Sequence, residues 1–524
     1  MSQMLKSSGA MAAATLASRV LGMVREMVYA AFMSNGWEAS AFALAFAVPN
    51  LFRRLLGEGA LNAAFIPIFK QKEVKEGEAE MWRAANAVIS GLVTAAAAVT
   101  ALAVLGISIA LAAGHFKDET RLMLLLLRMM FPYMPLVCLA AVLIGMANAR
   151  GHFFVPALGA ALLNVIMIAS VLLLAPLMGR TLEDQIRALA IGVLLAGLAQ
   201  AFFQVPSLER EGYRYQWVSP WRDPTVRQVV RKMLPGSIGV AAFQINVLIT
   251  YSFSFWFDPT IVATFNYAVR LMELPQGMFG VSLATYLLPT LSSLASQKKY
   301  PEFRQTLSQG LNYLAFANLI AAAIALTLAE PIVRLLFEHG KFGPNATQRV
   351  ALALAYLAPG LLMFSMSNIL ARAFYALNDI KTPMKISLLC LALNLGFAIW
   401  LVQAPPYREA GLALANTLSA CFNVVLLTYA LRRKLSRFGL TELLRTLLVL
   451  GVSAALAGAL AFWLSTLWER NLGHGTLLLK LGAVFIPGTI GVLVYWLIAF
   501  LAKVPAAKEL IEVLFRRVRP VRPA

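Results

Sequence analysis

Long apolar runs separated by short polar breaks repeat along almost the whole chain. Windows bounded by charged residues or by Pro and Gly fall near residues 10–33, 40–69, 84–113, 121–149, 153–178, 187–208, 232–256, 260–296, 306–329, 349–377, 384–403, 408–431, 441–467 and 476–502. A helix needs about 20 apolar residues to cross a bilayer, so each window predicts a membrane-spanning helix. The count is fourteen. The windows at 40–69 and 260–296 are long and hold Pro49, Gly57, Gly59 and Pro67, and Pro275, Gly277, Gly280 and Pro289. Such segments are expected to bend or break, which a membrane tolerates only beside protein or water. Lys6 and the Ala-rich run that follows resemble a weak signal peptide, but Arg19 and Arg25 interrupt the run, and 10–33 is expected to be a retained first span.

Similarity within the chain recurs at an offset of about 222 to 227 residues. Gly57 to Phe69 parallels Phe279 to Leu291, Val142 to Pro156 parallels Ile369 to Pro383, and Ala188 to Ile191 parallels Gly411 to Leu414. Two copies of six spans keep one membrane orientation, which makes this a parallel repeat. The expected fold is an all-α polytopic membrane protein with two six-helix lobes, 1–215 and 216–436. Residues 437–524 would then add two further helices and a basic cytoplasmic tail with Arg516, Arg517, Arg519 and Arg522.

Composition removes the soluble alternatives. The set AVILMFWYC makes up 60% of the 524 residues and charged residues only 13%, against about 25% charged in globular proteins. The formal charge of +20 would point to nucleic acid in a soluble chain. In a membrane protein it follows from the enrichment of Lys and Arg in cytoplasmic loops, so no nucleic-acid partner is expected. With both termini cytoplasmic, about 28 of the 45 Lys and Arg lie on the inner side, about 10 on the outer, and seven inside spans. Cys138, Cys390 and Cys421 lack disulfide or metal spacing and read as small core residues. The four histidines also lack ligand spacing. No P-loop and no nucleophile–base arrangement appears, so neither a cofactor, a metal nor an enzymatic activity is expected.

The seven arginines within spans are Arg19, Arg25, Arg53, Arg54, Arg128, Arg270 and Arg372. Each costs about 2.5–3.5 kcal/mol at a helix centre on the insertion scale. Arg128 and Arg372 stand near window edges, within reach of the interface by snorkelling. Arg19 and Glu26 are two helical turns apart and share a face, and Arg270 and Glu273 are neighbours at i,i+3. The acids in these segments are only Glu26, Glu58 and Glu273. The surplus of cations predicts a hydrated, positive cavity for an anionic substrate, and guanidinium's planar fork suits phosphate.

Several stretches together resemble the bacterial lipid II flippase family, MurJ (also called MviN). They are Ser18 to Glu26 (SRVLGMVRE), Pro49 to Arg54 (PNLFRR) followed by Gly57 to Ala60 (GEGA), Arg270 to Pro275 (RLMELP), Leu287 to Ser292 (LLPTLS), His339 to Phe342 (HGKF) and Asn378 to Pro383 (NDIKTP). The resemblance covers nearly the whole chain in order. It implies membership of the multidrug, oligosaccharidyl-lipid and polysaccharide exporter superfamily, alternating access, and residence in the bacterial inner membrane. It places the family's substrate-binding arginines on Arg19, Arg25, Arg53 and Arg270, with Glu26 standing where relatives often carry Asp; Glu26, Glu58 and Glu273, the acids of the same segments, are the expected supporting acids. It also implies lipid II, membrane lipids and the cell-wall synthesis machinery as partners, and a groove at the last two helices for the polyprenyl tail. Ser40, and Val269 before Arg270, stand where some relatives carry Asp, which puts an ion or proton role at those positions in doubt. The alternatives are an exporter of another polyprenyl-diphosphate-linked glycan, a multidrug antiporter of the same superfamily, whose cavity would favour acids, and a membrane glycosyltransferase, which would need a catalytic acid such as Glu58 or Asp379.

Overall fold

The computed structural model describes residues 2–54, 60–152, 154–404, 408–435 and 440–509. Every regular element among them is a helix, and a helix or helix pair occupies each of the fourteen apolar windows. Among the described residues nine helices are long and apolar enough to span a bilayer, and eleven spans result if each of two bent pairs counts as one. The remaining windows hold the helices Ser2–Met33 and Pro224–Phe257 and the pair Trp37–Phe52 and Ala60–Glu76. The basic tail beyond residue 509 and Glu58 lie outside the described residues.

The side chains that face outward are those a lipid would cover. On helix Glu78–Ala113, Val99, Leu102, Leu105 and Ile109 are 41–70% exposed, while Ala84, Ala85 and Ala87 of the same helix are completely buried. Small buried residues let helix backbones approach closely, which is how helices associate where lipid tails are as apolar as the core.

The helices group into two compact units, residues 1–263 with 340–342, and 264–339 with 343–524. Helix Pro224–Phe257 belongs to the first by packing, because it runs against Trp37–Phe52, Ala60–Glu76 and Glu78–Ala113. The core of the first unit includes Phe65, Phe69, Met81 and Trp82, covered by Tyr213 and Val229. The second centres on Phe303, Leu307, Leu311, Ile369, Leu370 and Phe374, and it includes Tyr495 and Ala499 of the last helix. The final helix pair, Leu440–Asn471 and Leu477–Leu501, is therefore part of this unit's core. The Tyr495 hydroxyl fastens it further by donating to the Phe316 carbonyl at 2.8 Å.

Irregularities recur at the repeat offset. The pair Asp118–Met130 and Tyr133–Ala149 bends by 43° around Pro132, and the pair Pro344–Leu357 and Gly360–Ala376 bends by 43° around Pro359. Helices Ala60–Glu76 and Ser282–Ser296 each carry an internal proline at the same step, Pro67 and Pro289. A proline inside a helix removes one backbone donor and crowds the carbonyl four residues back, so a kink at matched positions is what matched sequence would produce.

Candidate functional site

The first helix supplies the most fully built arginine site. Arg25 donates through Nη1 to Asn164 Oδ1 at 3.0 Å and through Nη2 to the carboxylate of Glu26. Its guanidinium carbon lies 5.5 Å from the centre of the Tyr29 ring, one turn further on. Asn164 comes from helix Phe154–Met178 and uses its amide to donate to the Ser18 carbonyl at 3.1 Å. One buried asparagine thus fixes both the path of the first helix and the direction of the guanidinium. The Arg25 and Glu26 side chains are only 15% and 10% exposed. The Arg25 Nε is buried without a hydrogen-bond partner, an orphan donor in a group that can give five bonds.

Packing holds this arrangement from behind. Tyr29 meets Phe42 edge-on at 5.9 Å, Phe42 stacks on Phe46 at 6.1 Å, and Phe46 touches Tyr133 at 5.9 Å. The ring ladder ties the first helix to two others and leaves Tyr29 little freedom to leave the guanidinium face.

The expected sharing of Glu26 by Arg19 is not what the structure displays. Glu26 pairs with its chain neighbour Arg25, and Arg19 is exposed and makes no ion pair among the described residues. Helical spacing put Arg19 and Glu26 on one face, but the contact from Asn164 turns the nearer guanidinium towards the carboxylate.

Arg53 follows the helix Trp37–Phe52, whose regular pattern is interrupted by Pro49. Its Nε donates to Asn50 Oδ1 at 2.8 Å and its backbone N–H reaches the carbonyls of Asn50 and Pro49. The side chain is half-buried. In the second unit, Arg270 donates to Glu273 at 2.8 Å, with side chains 35% and 47% exposed. It stands just before Pro275 and the widened turn Gln276–Val281. Such π turns are frequent at functional positions. Arg372 donates to Thr285 Oγ1 at 3.2 Å, so a hydroxyl within the same unit takes up one of its N–H groups. Arg25 with Glu26 and Arg270 with Glu273 are the sequence-selected residues that the structure brings together in pairs.

Ser40, completely buried, accepts from the Ala263 N–H at 2.9 Å. That amide belongs to the first turn of the helix beginning at Ile261, so Ser40 caps a distant helix start, a job open to any short oxygen-bearing side chain. The motif at 339–342 also has a backbone role. Gly340 has φ +58°, and a Cβ there would lie 2.6 Å from the Ala31 carbonyl oxygen. The Lys341 N–H donates to that carbonyl at 2.8 Å, and its ammonium sits 5.4 Å from the Phe32 ring centre.

Charge counting found the arginines but missed Asn164, Tyr29 and Asn50, which orient them. A signal was present for Asn164. An amide inside the run 154–178 is expensive in a membrane unless bonded.

The architecture defines a class first. An inward-facing multidrug transporter of the MOP superfamily superposes with TM-score 0.66 at 14% identity, over 80% of this chain and 94% of that one. A solved structure of lipid II flippase MurJ in an inward closed conformation superposes with TM-score 0.77 at 22% identity, over 96% of this chain and 99% of that one. The fold is that of a polytopic helical membrane protein. The family model for lipid II flippase MurJ matches residues 29–482. A probable lipid II flippase of Vibrio cholerae is 32% identical over 482 residues, covering 90% of each chain. The chain belongs to the lipid II flippase MurJ family.

Proposed function

We propose that this protein moves lipid II, the polyprenyl-diphosphate-linked peptidoglycan precursor, from the cytoplasmic to the outer leaflet of the bacterial inner membrane. The observation that carries the reading is the family match over residues 29–482 together with arginines placed in apolar helices. Arg25 supports it most, because its partners orient the guanidinium yet leave the Nε donor unfilled. A diphosphate oxygen is a strong acceptor for such a donor.

In this reading Arg19, Arg25, Arg53 and Arg270 engage the diphosphate, and Glu26, Glu58 and Glu273 moderate the local charge. Two repeat-related lobes, 1–215 and 216–436, open alternately to each side, with helix Pro224–Phe257, which packs in the first unit, moving with the first lobe, and the helices beyond 437 accompany the second. Both termini face the cytoplasm, as the count of about 28 inner against about 10 outer Lys and Arg favours. A drug antiporter of the same superfamily is disfavoured by seven arginines against three acids in the charged spans.

Depletion of the protein from its own cell tests the reading. Lipid-linked precursor should accumulate on the cytoplasmic face and lysis should follow. Growth with normal precursor levels in both leaflets would exclude the function.

A further inference from the structure

The segment joining helix Leu182–Glu209 to helix Pro224–Phe257 sorts its charges by direction. Its acids are mostly turned inward and occupied. Glu211 bonds Arg150 at 2.8 Å and His152 at 2.9 Å. Asp223 is buried, accepts from the N–H groups of Thr225 and Val226, and pairs with Arg83 at 3.3 Å. The cations Arg210, Arg214 and Arg222 of the segment, and Arg227, Arg231 and Lys232 at the start of the helix that follows it, are all exposed, and none has an ion-pair partner among the described residues. Glu209, the last residue of the preceding helix, is the one exposed acid beside them.

The same segment is held rigidly while it displays large aromatic surfaces. Asn86 donates to the Arg214 carbonyl at 3.0 Å, and the Val218 N–H reaches Ser90 Oγ at 3.4 Å. The Tyr215 hydroxyl lies 3.2 Å from that same oxygen. Tyr213 is buried against Trp82 at 5.3 Å, and Pro220 packs so close to Gly91 that a Cβ there would come within 3.0 Å. Yet the side chains of Tyr215, Trp217 and Trp221 are 51%, 61% and 73% exposed. A strap pinned to helix Glu78–Ala113 therefore presents three amphipathic rings among six unpaired cations, at the ends of two apolar helices. Indole and phenol rings settle at the headgroup level of a bilayer, and Lys and Arg there attract anionic lipid.

We propose that residues 210–232 form a preformed docking strap for the headgroups of anionic phospholipids in the leaflet it faces. The arginines take the phosphates and Trp217 and Trp221 lie in the interfacial layer. The pinning keeps the cations spread before any lipid arrives, so binding does not first have to order the loop. Helix Glu78–Ala113, to which the strap is bonded, is thereby anchored to the membrane surface at its amino-terminal end.

Native mass spectrometry of the full chain titrated with phosphatidylglycerol or phosphatidylcholine tests this directly. Wild type should retain phosphatidylglycerol preferentially. Replacing Arg214, Arg222 and Arg227 together by Gln should weaken that retention by at least about tenfold, since each surface cation contributes roughly fivefold. Replacing Arg432 and Arg433 by Gln should leave it unchanged. A second measurement needs no charge variant. In bilayers, brominated phosphatidylglycerol should quench wild-type tryptophan fluorescence more than brominated phosphatidylcholine, and W217F/W221F should remove the difference. The proposal is overturned if retention shows no headgroup preference, if the triple variant holds phosphatidylglycerol as tightly as wild type, or if the quenching difference survives in W217F/W221F. Retention of a polyprenyl diphosphate without retention of phosphatidylglycerol would also overturn it, and would make the strap part of substrate capture.

Discussion

Removing one member of the Arg25–Glu26 pair leaves the other charged in a site with little water. Breaking a buried ion pair from one side costs about 3–5 kcal/mol. Here the side chains are 15% and 10% exposed, and Arg25 would keep its bond to Asn164 and its contact with Tyr29, so about 2–3 kcal/mol is expected for Glu26→Gln. Arg25→Gln should cost a similar amount by removing the ion pair from the carboxylate. The double replacement leaves neutral amides able to bond each other and Asn164, and should recover most of the loss. A coupling of about 2 kcal/mol would then appear in a double-mutant cycle, read by detergent-driven unfolding of the purified protein. Additive losses, or a Glu26→Gln protein as stable as wild type, would refute the reasoning. The double variant also separates structure from function. If it is folded but fails to complement, the Arg25 charge serves the substrate. If it is folded and complements fully, the pair is structural and the diphosphate assignment of Arg25 falls.

Gly340→Ala should destabilise by at least about 2 kcal/mol, because a side chain is strained at φ +58° and its Cβ would meet the Ala31 carbonyl. Gly343→Ala, where a Cβ meets nothing within 4 Å, should be near neutral in the same melting assay, and equal effects would discard the argument. At the loop after helix Gly360–Ala376, the hydrogen bond from Lys434 and those from Thr382 hold Asp379 below the usual carboxylate range, from 3.8 to about 2. A depressed folded-state value contributes stability that is complete above the unfolded pKa and lost as pH falls through the folded one. The difference in melting between wild type and Asp379→Asn should therefore be constant from pH 5 to 8 and vanish between about pH 4 and 2; a difference that persists at pH 2 would contradict it. Reporter fusions after Lys232 should read cytoplasmic and after Asp258 periplasmic, and the reverse pattern would invert the topology.

Much of the fold was legible because membrane helices advertise themselves through length and apolarity alone. The 43° bends at Pro132 and Pro359 lie outside the two windows, 40–69 and 260–296, in which breaks were expected, although the two prolines stand at matched repeat positions. What remained hidden depends on contacts between residues far apart in sequence. Helical spacing offered Arg19 to Glu26, whereas the carboxylate meets its chain neighbour Arg25, which is held in place by Asn164, 139 residues away. Ser40 looked like a missing acid, whereas the structure gives it the Ala263 amide, 223 residues away. Helix Pro224–Phe257 belongs by repeat to the second half of the sequence and by packing to the first unit, a choice that periodicity within the helix does not encode.

The central claim is that intact lipid crosses the membrane through arginines acting on its diphosphate. Purified protein reconstituted into liposomes with labelled lipid II on one leaflet measures it most directly, with appearance of the unaltered lipid on the other leaflet as the signal. Wild type should translocate the lipid without making a new product, and Ala variants at Arg19, Arg25, Arg53 and Arg270 should each lose translocation while remaining folded, with Lys restoring it only in part. Chemical conversion of the lipid, or undiminished translocation by all four variants, would contradict the account.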